Sequence, residues 1–155
     1  MSYPQQAVQD AFSLLPAKMD TPAARVIHAA IGYQESDGYN TRRQYGNGPA
    51  AGYWQFERGG IKGVMLHQTT IRLASDICDA RGVDFNSEAI WNALQVDDVL
   101  AAAFARLLMW TDSQPLPALG DVEGAWKLYA ERCWRPGKPH HDKWAMSYRF
   151  GQGVL

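Results

Sequence analysis

The sequence predicts a mainly α-helical fold with one small lobe built of loops or a β-hairpin. Three observations lead to this prediction. Apolar residues recur at spacings of three and four along most of the chain, as on the buried face of a helix. Capping residues or prolines stand at the starts of several of these segments. Residues 39–60 break the pattern with polar and glycine-rich sequence, so the lobe is expected there.

Two helices are predicted before residue 39. The sequence QQAVQDAFSLL fits a short helix that ends by Pro16. The second helix is predicted from Pro22 to Gly38, because Thr21 can cap it and proline is favoured at the first helical position. Its apolar positions form one stripe, Ala23, Ile27, Ala30 and Ile31. Glu35 continues this stripe, four residues beyond its last member.

The middle of the chain begins with the predicted lobe. Its sequence TRRQYGNGPAAGYWQFERGG contains asparagine-glycine and glycine-proline pairs that favour turns and a short hairpin. The helical pattern resumes at Ile61 and continues to Gly82, a residue suited to a helix C-terminus. A shorter helix, SEAIWNALQ, is predicted after Asn86.

Three further helices are predicted in the last third of the chain. Asp97 can cap the apolar helix VLAAAFARLLMW, which the proline-containing link SQPLPALG terminates. The next helix starts at Asp121 and breaks at residues 136–137, a proline and a glycine. Four residues share one of its faces, Val122, Trp126, Tyr129 and Cys133. A last amphipathic helix, HDKWAMSYRF, ends near Gly151.

Composition limits the classes of function. A chain of 155 residues with 46% hydrophobic content predicts a single domain over residues 1–155 with one core. The net charge of −1 lacks the electrostatic footprint of a nucleic-acid-binding protein, so no nucleic-acid partner is expected. There is no run of 18 apolar residues, and the N-terminus has no secretory signal. A soluble product made in the cytoplasm, without membrane insertion, is therefore predicted.

The cysteines and histidines suggest no metal or redox centre. Cys78 and Cys133 are interpreted as buried free thiols, with a disulfide in an oxidising compartment as the alternative. The histidines form no H-E-x-x-H or C-x-x-C arrangement, so no metal ion is predicted, and His28 is interpreted as a core residue. No G-x-S-x-G sequence or phosphate-binding glycine loop occurs, so no cofactor is expected.

Glu35 is the most informative single residue. Burial on an apolar stripe disfavours the charged carboxylate, and the partial negative charge at a helix C-terminus acts in the same direction. Both effects predict a raised pKa. A carboxylic acid that stays protonated near neutral pH can give its proton to a leaving oxygen, as in glycosidases. The alternative is an ordinary surface glutamate at a frayed helix end.

Three sequence elements, taken in order, suggest a family. A helix ends with the pair Glu35 and Ser36, a G-x-x-Q element follows at Gly52 and Gln55, and a late helix contributes Tyr129. In this order and spacing the sequence resembles the lysozyme-like superfamily, in its branch of lytic transglycosylases and goose-type lysozymes. The resemblance covers residues 22–139 and implies a helical lysozyme-like fold with a small lobe beside the catalytic cleft.

The third element departs from the family pattern. The late helix of the family reads A-x-x-Y-N, whereas here Ala130 follows Tyr129. The loop before the G-x-x-Q element is also two residues longer than usual. These departures support an alternative from a different class, a non-catalytic virion structural or wall-binding protein that keeps the fold.

The resemblance implies an activity. Enzymes of this branch cleave the bond between N-acetylmuramic acid and N-acetylglucosamine in peptidoglycan, so glycan strands are the expected partner. Glu35 would be the catalytic acid, and Ser36, Gly52, Gln55 and Tyr129 would belong to the substrate-binding set. A transglycosylase uses the C6 hydroxyl of the sugar and needs no second carboxylate, whereas a hydrolase generally needs one.

Glu57 is the candidate for that second carboxylate. If YWQFE is extended, Tyr53, Gln55 and Glu57 share a face, which brings Glu57 toward the cleft. The alternative is a solvated loop charge, and transglycosylase is favoured over muramidase. Of Tyr53 and Trp54, one is expected to pack inward, and Trp54 is the candidate for stacking on a sugar.

The remaining features concern setting and charge. Arg42, Arg43 and the segment RCWRPGKPHHDK are the only concentrated basic sequence, and they are interpreted as a solvated face or as a site for peptide carboxylates. The length and the WRPGKPH segment resemble phage-encoded proteins. Host lysis (an endolysin) or delivery in the virion, with other virion proteins as partners, would bring such a protein to the cell wall.

Overall fold

A computed structural model describes residues 2–155 and has a helical architecture. Within these residues there are eight α-helices and no β-strand. The helices are α1 Gln5–Ser13, α2 Pro22–Glu35, α3 Arg58–Leu66, α4 Ile71–Arg81, α5 Ser87–Leu94, α6 Asp98–Trp110, α7 Val122–Trp126 and α8 His141–Gly153. A π-helical segment, Lys127–Cys133, continues α7. The prediction of a mainly α fold is confirmed.

The predicted capping residues begin their helices. Thr21 accepts a hydrogen bond from the amide of Ala24 at 3.1 Å, and Pro22 is the first residue of α2. Three other helices start in the same way, with a backbone amide donating to the side chain of Asn86, Asp97 or Asp121. Each cap satisfies a backbone amide that has no partner within its helix.

The helix predicted from Ile61 to Gly82 is two helices. α3 ends at Leu66, and the chain turns before α4 begins at Ile71. The turn is stabilised by Thr70, which is fully buried and donates its hydroxyl to the carbonyl of Val64 at 2.7 Å. Because neither glycine nor proline stands in this turn, the hydrophobic pattern gives no sign of the break. Gly82 ends α4 with φ 69°, as predicted.

The core is formed around α2 and α6. Residues 99–109 of α6 are buried on every side of the helix, as expected for an apolar helix at the centre of a domain. α1 and α6 pack together, and α2 packs along α8. At Gly151 of α8, a Cβ atom would collide with the carbonyl of Val26. Glycine therefore permits the close approach of α8 to the N-terminal half of α2.

The predicted β-hairpin is absent, and this part of the prediction is wrong. Between α2 and α3, residues 36–57 form turns with two isolated bridges, Arg43 to Ala51 and Ala51 to Phe56. Ala51 and Phe56 exchange two backbone hydrogen bonds of 2.9 Å. Gly52 and Gln55 lie in the left-handed region, with φ 78° and 52°. They close a tight turn immediately after the bridge, so no extended pairing follows.

Two smaller predictions concern thiols and helix length. Cys78 and Cys133 are buried free thiols, as predicted. The second helix ends at Glu35 rather than at Gly38, because Asp37 and Gly38 both take positive φ values. No helix in residues 2–155 combines the length and the apolar content needed to span a membrane.

Candidate active site

A groove crosses the surface at the end of α2. Its first part, of about 570 Å³, is lined by residues that include Glu35, Gln55, Glu57, Tyr129 and Trp134. Its second part, of about 710 Å³, extends from Glu35 along the start of α8. Both volumes fall in the range of ligand sites, roughly 300–1,000 Å³. The two parts share Glu35 and four other lining residues, so they adjoin at the end of α2.

The position of Glu35 is fixed through its neighbour in sequence. Gln34 accepts a hydrogen bond from the hydroxyl of Ser147 at 2.5 Å and donates one to the carbonyl of His140 at 2.9 Å. The last turn of α2 is thereby attached to α8 at two points. Glu35, the final residue of α2, is held at the groove by this attachment.

The carboxyl group of Glu35 has the protonation behaviour of a general acid. The pKa of Glu35 is raised from 4.5 to about 7 as the net result of three effects. Burial raises it, the hydrogen bond from Tyr129 lowers it, and the charge of Glu57 raises it. Burial is the largest of these effects. A carboxyl group with a pKa near neutral pH can both donate and accept a proton.

Tyr129 is the direct partner of Glu35. Its hydroxyl donates to Oε1 of Glu35 at 2.8 Å, and its ring stacks on Trp144 with 5° between the planes. Burial and the neighbouring carboxylate raise the pKa of Tyr129 well above its ordinary value. The hydroxyl consequently stays protonated and remains a donor. The sequence predicted both residues for the site, and the structure brings them into contact.

The backbone around Tyr129 is unusual. Tyr129 lies within the π-helical segment, and its carbonyl accepts the amide of Trp134, five residues later, at 2.9 Å. Segments of π-helix are rare and are found frequently at functional sites. Nothing in the periodic pattern of the sequence indicated the wider turn.

Gln55 and Glu57 also line the groove. The side-chain amide of Gln55 donates to the carbonyl of Gly52 at 2.8 Å, which holds the side chain against its own turn. Glu57 is exposed and immediately precedes α3. Its approach to the groove results from the tight turn and not from the extended segment that was predicted.

Tyr53 and Trp54 do not reach the groove, so their prediction as sugar-binding residues is wrong. Tyr53 is 1% exposed and Trp54 is fully buried. The indole of Trp54 donates to the carbonyl of His28 at 2.9 Å and packs against Gly32, where a side chain would collide with it. Because the chain turns here, two adjacent aromatic residues both enter the core.

Ser36 and Gly52 are likewise buried, and their predicted contact with substrate is wrong. The hydroxyl of Ser36 donates to the carbonyl of Gly32 at 2.6 Å and accepts the amide of Tyr39 at 2.7 Å, which closes the turn after α2. Gly52 has φ 78°, and a Cβ atom there would lie 2.9 Å from the carbonyl oxygen of Leu94. Both residues shape the backbone of the site and do not contact a ligand.

His28 lies in the core, as predicted, but in the part of the chain that the structure describes only one of its two ring nitrogens has a hydrogen-bond partner. Its Nε2 lies 2.9 Å from the carbonyl of Ala102, and Nδ1 has no partner within residues 2–155. Burial lowers the pKa of His28 to about 3, so the ring is neutral. Among the same residues, no three His, Cys, Asp or Glu side chains are placed to hold a metal ion.

The groove also contains residues that the sequence indicated only as part of the basic segment RCWRPGKPHHDK. Trp134 and the turn that follows it, Arg135–Lys138, form the wall beyond Tyr129. The indole of Trp134 donates to the carbonyl of Trp54 at 2.8 Å, which attaches this wall to the turn at residues 52–55. The sequence signals for this segment were its concentrated positive charge and the proline and glycine that mark a loop after a helix.

Comparison of the chain with protein-family models, with curated proteins and with solved structures finds no significant match. The chemistry of the groove must therefore be read from its own residues. A protonated carboxyl group, a permanent hydroxyl donor and a second carboxylate line one open channel. This set suits acid and base catalysis on a polymer that lies across Glu35.

Proposed function

We propose that the protein is a peptidoglycan lytic transglycosylase with a lysozyme-like fold and Glu35 as its single acid and base. The observation that carries this proposal is the carboxyl group of Glu35, raised in pKa to about 7 and held by Tyr129 in the floor of an open groove. The order of Glu35, Gln55 and Tyr129 around one groove supports the resemblance to the lysozyme-like superfamily.

The reaction needs two proton transfers at Glu35. The protonated carboxyl gives its proton to the bridging oxygen between N-acetylmuramic acid and N-acetylglucosamine, and the bond from C1 of the muramic acid to that oxygen breaks. The resulting carboxylate then takes the proton of the C6 hydroxyl of the same muramic acid, whose oxygen bonds to C1. A 1,6-anhydro sugar forms, no water is consumed, and Glu35 regains its proton.

Tyr129 supports both stages by holding the carboxyl group in one orientation. Its hydrogen bond to Oε1 leaves the other carboxyl oxygen free of this donor. Because the bond favours the ionised form, it also keeps the pKa of Glu35 from rising further with burial. The group can therefore release its proton as well as retain it.

A muramidase of the same fold is the second candidate, because Glu57 lines the same groove and influences the pKa of Glu35. In that reaction Glu57 would act on a water molecule or on C1 itself. Its side chain is exposed and borders the groove, so it is accessible to a ligand there.

The two candidates differ in their products. Purified peptidoglycan is digested with the wild type, Glu35→Gln and Glu57→Gln, and the soluble fragments are analysed by mass spectrometry. We expect 1,6-anhydro ends from the wild type and Glu57→Gln, and no release by Glu35→Gln. Reducing ends that disappear in Glu57→Gln would instead identify a muramidase. Binding without release by the wild type would identify a non-catalytic wall-binding protein.

A further inference from the structure

One side of the groove carries a set of cationic side chains. Arg135 and Lys138 line its first part, and Lys143 lines its second part at the start of α8. We call these three residues the basic wall. All three are exposed to solvent. The basic wall therefore flanks Glu35 along both parts of the groove.

The charges of the basic wall have no acidic partners of their own. Within residues 2–155, none of the three forms an ion pair, whereas five arginines elsewhere do so with aspartate or glutamate. Those five are Arg25, Arg42, Arg58, Arg81 and Arg132. Lys62 and Arg72 are also unpaired, but they lie outside the groove. The free cations of the groove are thus available to an anionic ligand.

The basic wall is connected to the catalytic pair by the backbone. Arg135 has φ 49°, an uncommon conformation for a residue with a side chain. Its amide donates at 3.2 Å to the carbonyl of Tyr129, the residue whose hydroxyl contacts Glu35. Three of the five non-glycine residues with positive φ, Asp37, Gln55 and Arg135, line this groove. Such conformations cluster at ligand sites.

We propose that the basic wall binds the free carboxylates of the peptide stems and makes the enzyme selective for stem-bearing glycan. This inference rests on the proposed function. The N-acetylated sugars of the strand carry no charge, and the lactyl carboxyl of muramic acid is consumed in the amide bond to its stem. The stem supplies the anions, and it leaves the strand from the sugar next to the scissile bond. Its carboxylates therefore lie within reach of cations that flank Glu35.

The test compares glycan strands with and without stems. Stems are removed from part of a soluble strand preparation with an amidase, and the lactyl carboxylate that this hydrolysis exposes on each muramic acid is converted to its uncharged methylamide, which leaves a neutral sugar chain. The dissociation constant of each preparation is measured with Glu35→Gln, which binds without turnover, and kcat/KM is measured with the active enzyme. Arg135→Gln with Lys138→Gln forms the test variant. Arg72→Gln with Lys62→Gln removes the same charge outside the groove and is the matched control.

We expect the wild type to prefer stem-bearing strands about tenfold in both constants, since each exposed ion pair contributes up to about fivefold. The test variant should lose most of this preference for stem-bearing strands, and Lys143→Gln should lose part of it. The control should keep the preference of the wild type. Unchanged thermal midpoints would establish that each variant is folded. Equal constants for both strands, or an equal loss of the ratio in the control, would overturn the inference.

The outcomes separate this inference from the proposed function. If neither strand is cleaved but stem-dependent binding persists and depends on the basic wall, the transglycosylase assignment fails and the inference stands. If both strands are cleaved with equal kcat/KM and bound with equal affinity, the assignment stands and the inference fails. Wall polymers rich in phosphate are another source of anions. If binding to the basic wall persists after the stems are removed but is lost when these polymers are removed, the polymers supply the anions and the inference is overturned.

Discussion

Two glutamates line the same groove in opposite surroundings. Glu35 ends α2, is partly buried, and accepts a hydrogen bond from a buried tyrosine. Glu57 stands just before α3 and is exposed. The helix macrodipole presents partial negative charge to Glu35 and partial positive charge to Glu57. One groove thus contains a partly buried, hydrogen-bonded carboxyl group with a raised pKa together with an exposed carboxyl group.

The chemical role of each glutamate is determined by its environment and not by its residue type. Dehydration of Glu35 is the main reason that its pKa reaches about 7, and the charge of Glu57 contributes in the same direction. The charge of the exposed Glu57 therefore adds to the pKa shift of the partly buried Glu35. Variants at these two positions and at Tyr129 can separate the contributions.

The largest expected effect is on catalysis. Glu35→Gln should lower the rate of fragment release about 10³-fold, in the range that general acid–base catalysis supplies. Glu57→Gln should lower it by less than about tenfold, because transglycosylation needs no second carboxylate. Turbidity loss of a peptidoglycan suspension measures both rates. Similar losses in the two variants would contradict the distinction between the glutamates.

A smaller effect is expected on stability. Folded Glu35 retains its proton up to about pH 7, whereas the unfolded chain releases it near 4.5, so folding stability falls as the pH rises between these values. Glutamine does not ionise. The free energy of unfolding of Glu35→Gln minus that of the wild type should therefore increase by up to about 3 kcal/mol from pH 4 to pH 8.

Urea unfolding at both pH values measures this difference, and Glu57→Gln is its control. We expect the control to have a clearly smaller pH-dependent difference, because its side chain is hydrated in both states. If Glu35→Gln shows the same stability difference from the wild type at pH 4 and at pH 8, the raised pKa of Glu35 is refuted.

The smallest effect is a pair of opposite shifts in the pH–rate profile. Tyr129→Phe removes a hydrogen bond that lowers the pKa of Glu35, so the alkaline limb should move to higher pH. Glu57→Gln removes a charge that raises this pKa, so the limb should move to lower pH. Because Glu35 must be protonated to start the reaction, rates should fall above this limb. Shifts in the same direction would contradict the arrangement of the three groups.

Local signals in the sequence predicted the starts of four helices, α2, α5, α6 and α7. The side chains of Thr21, Asn86, Asp97 and Asp121 cap their own helices through contacts three residues away, which is information that a short stretch contains. Glu35 was identified for a similar reason, since its place on an apolar stripe already predicted burial. Its contact with Tyr129 was suggested by the family resemblance and not by periodicity.

Features that depend on distant parts of the chain were missed. The turn at Thr70 depends on its buried hydroxyl, and the burial of Trp54 depends on the space that Gly32 leaves on another element. Arg106 lies in the middle of an apolar helix and is 1% exposed, with its Nε donating to the carbonyl of Met19 at 2.8 Å. No local pattern distinguishes such a residue from a surface arginine.

The position of Trp134 has a practical consequence. Of the six tryptophans, Trp54 and Trp144 are enclosed in the interior and the other four are partly exposed, and among these four only Trp134 lines the groove. The fluorescence of an indole changes when sugar rings displace water from its face. A sugar strand lying along the groove would therefore alter the emission of Trp134, and a titration in the Glu35→Gln background would follow occupancy without a label.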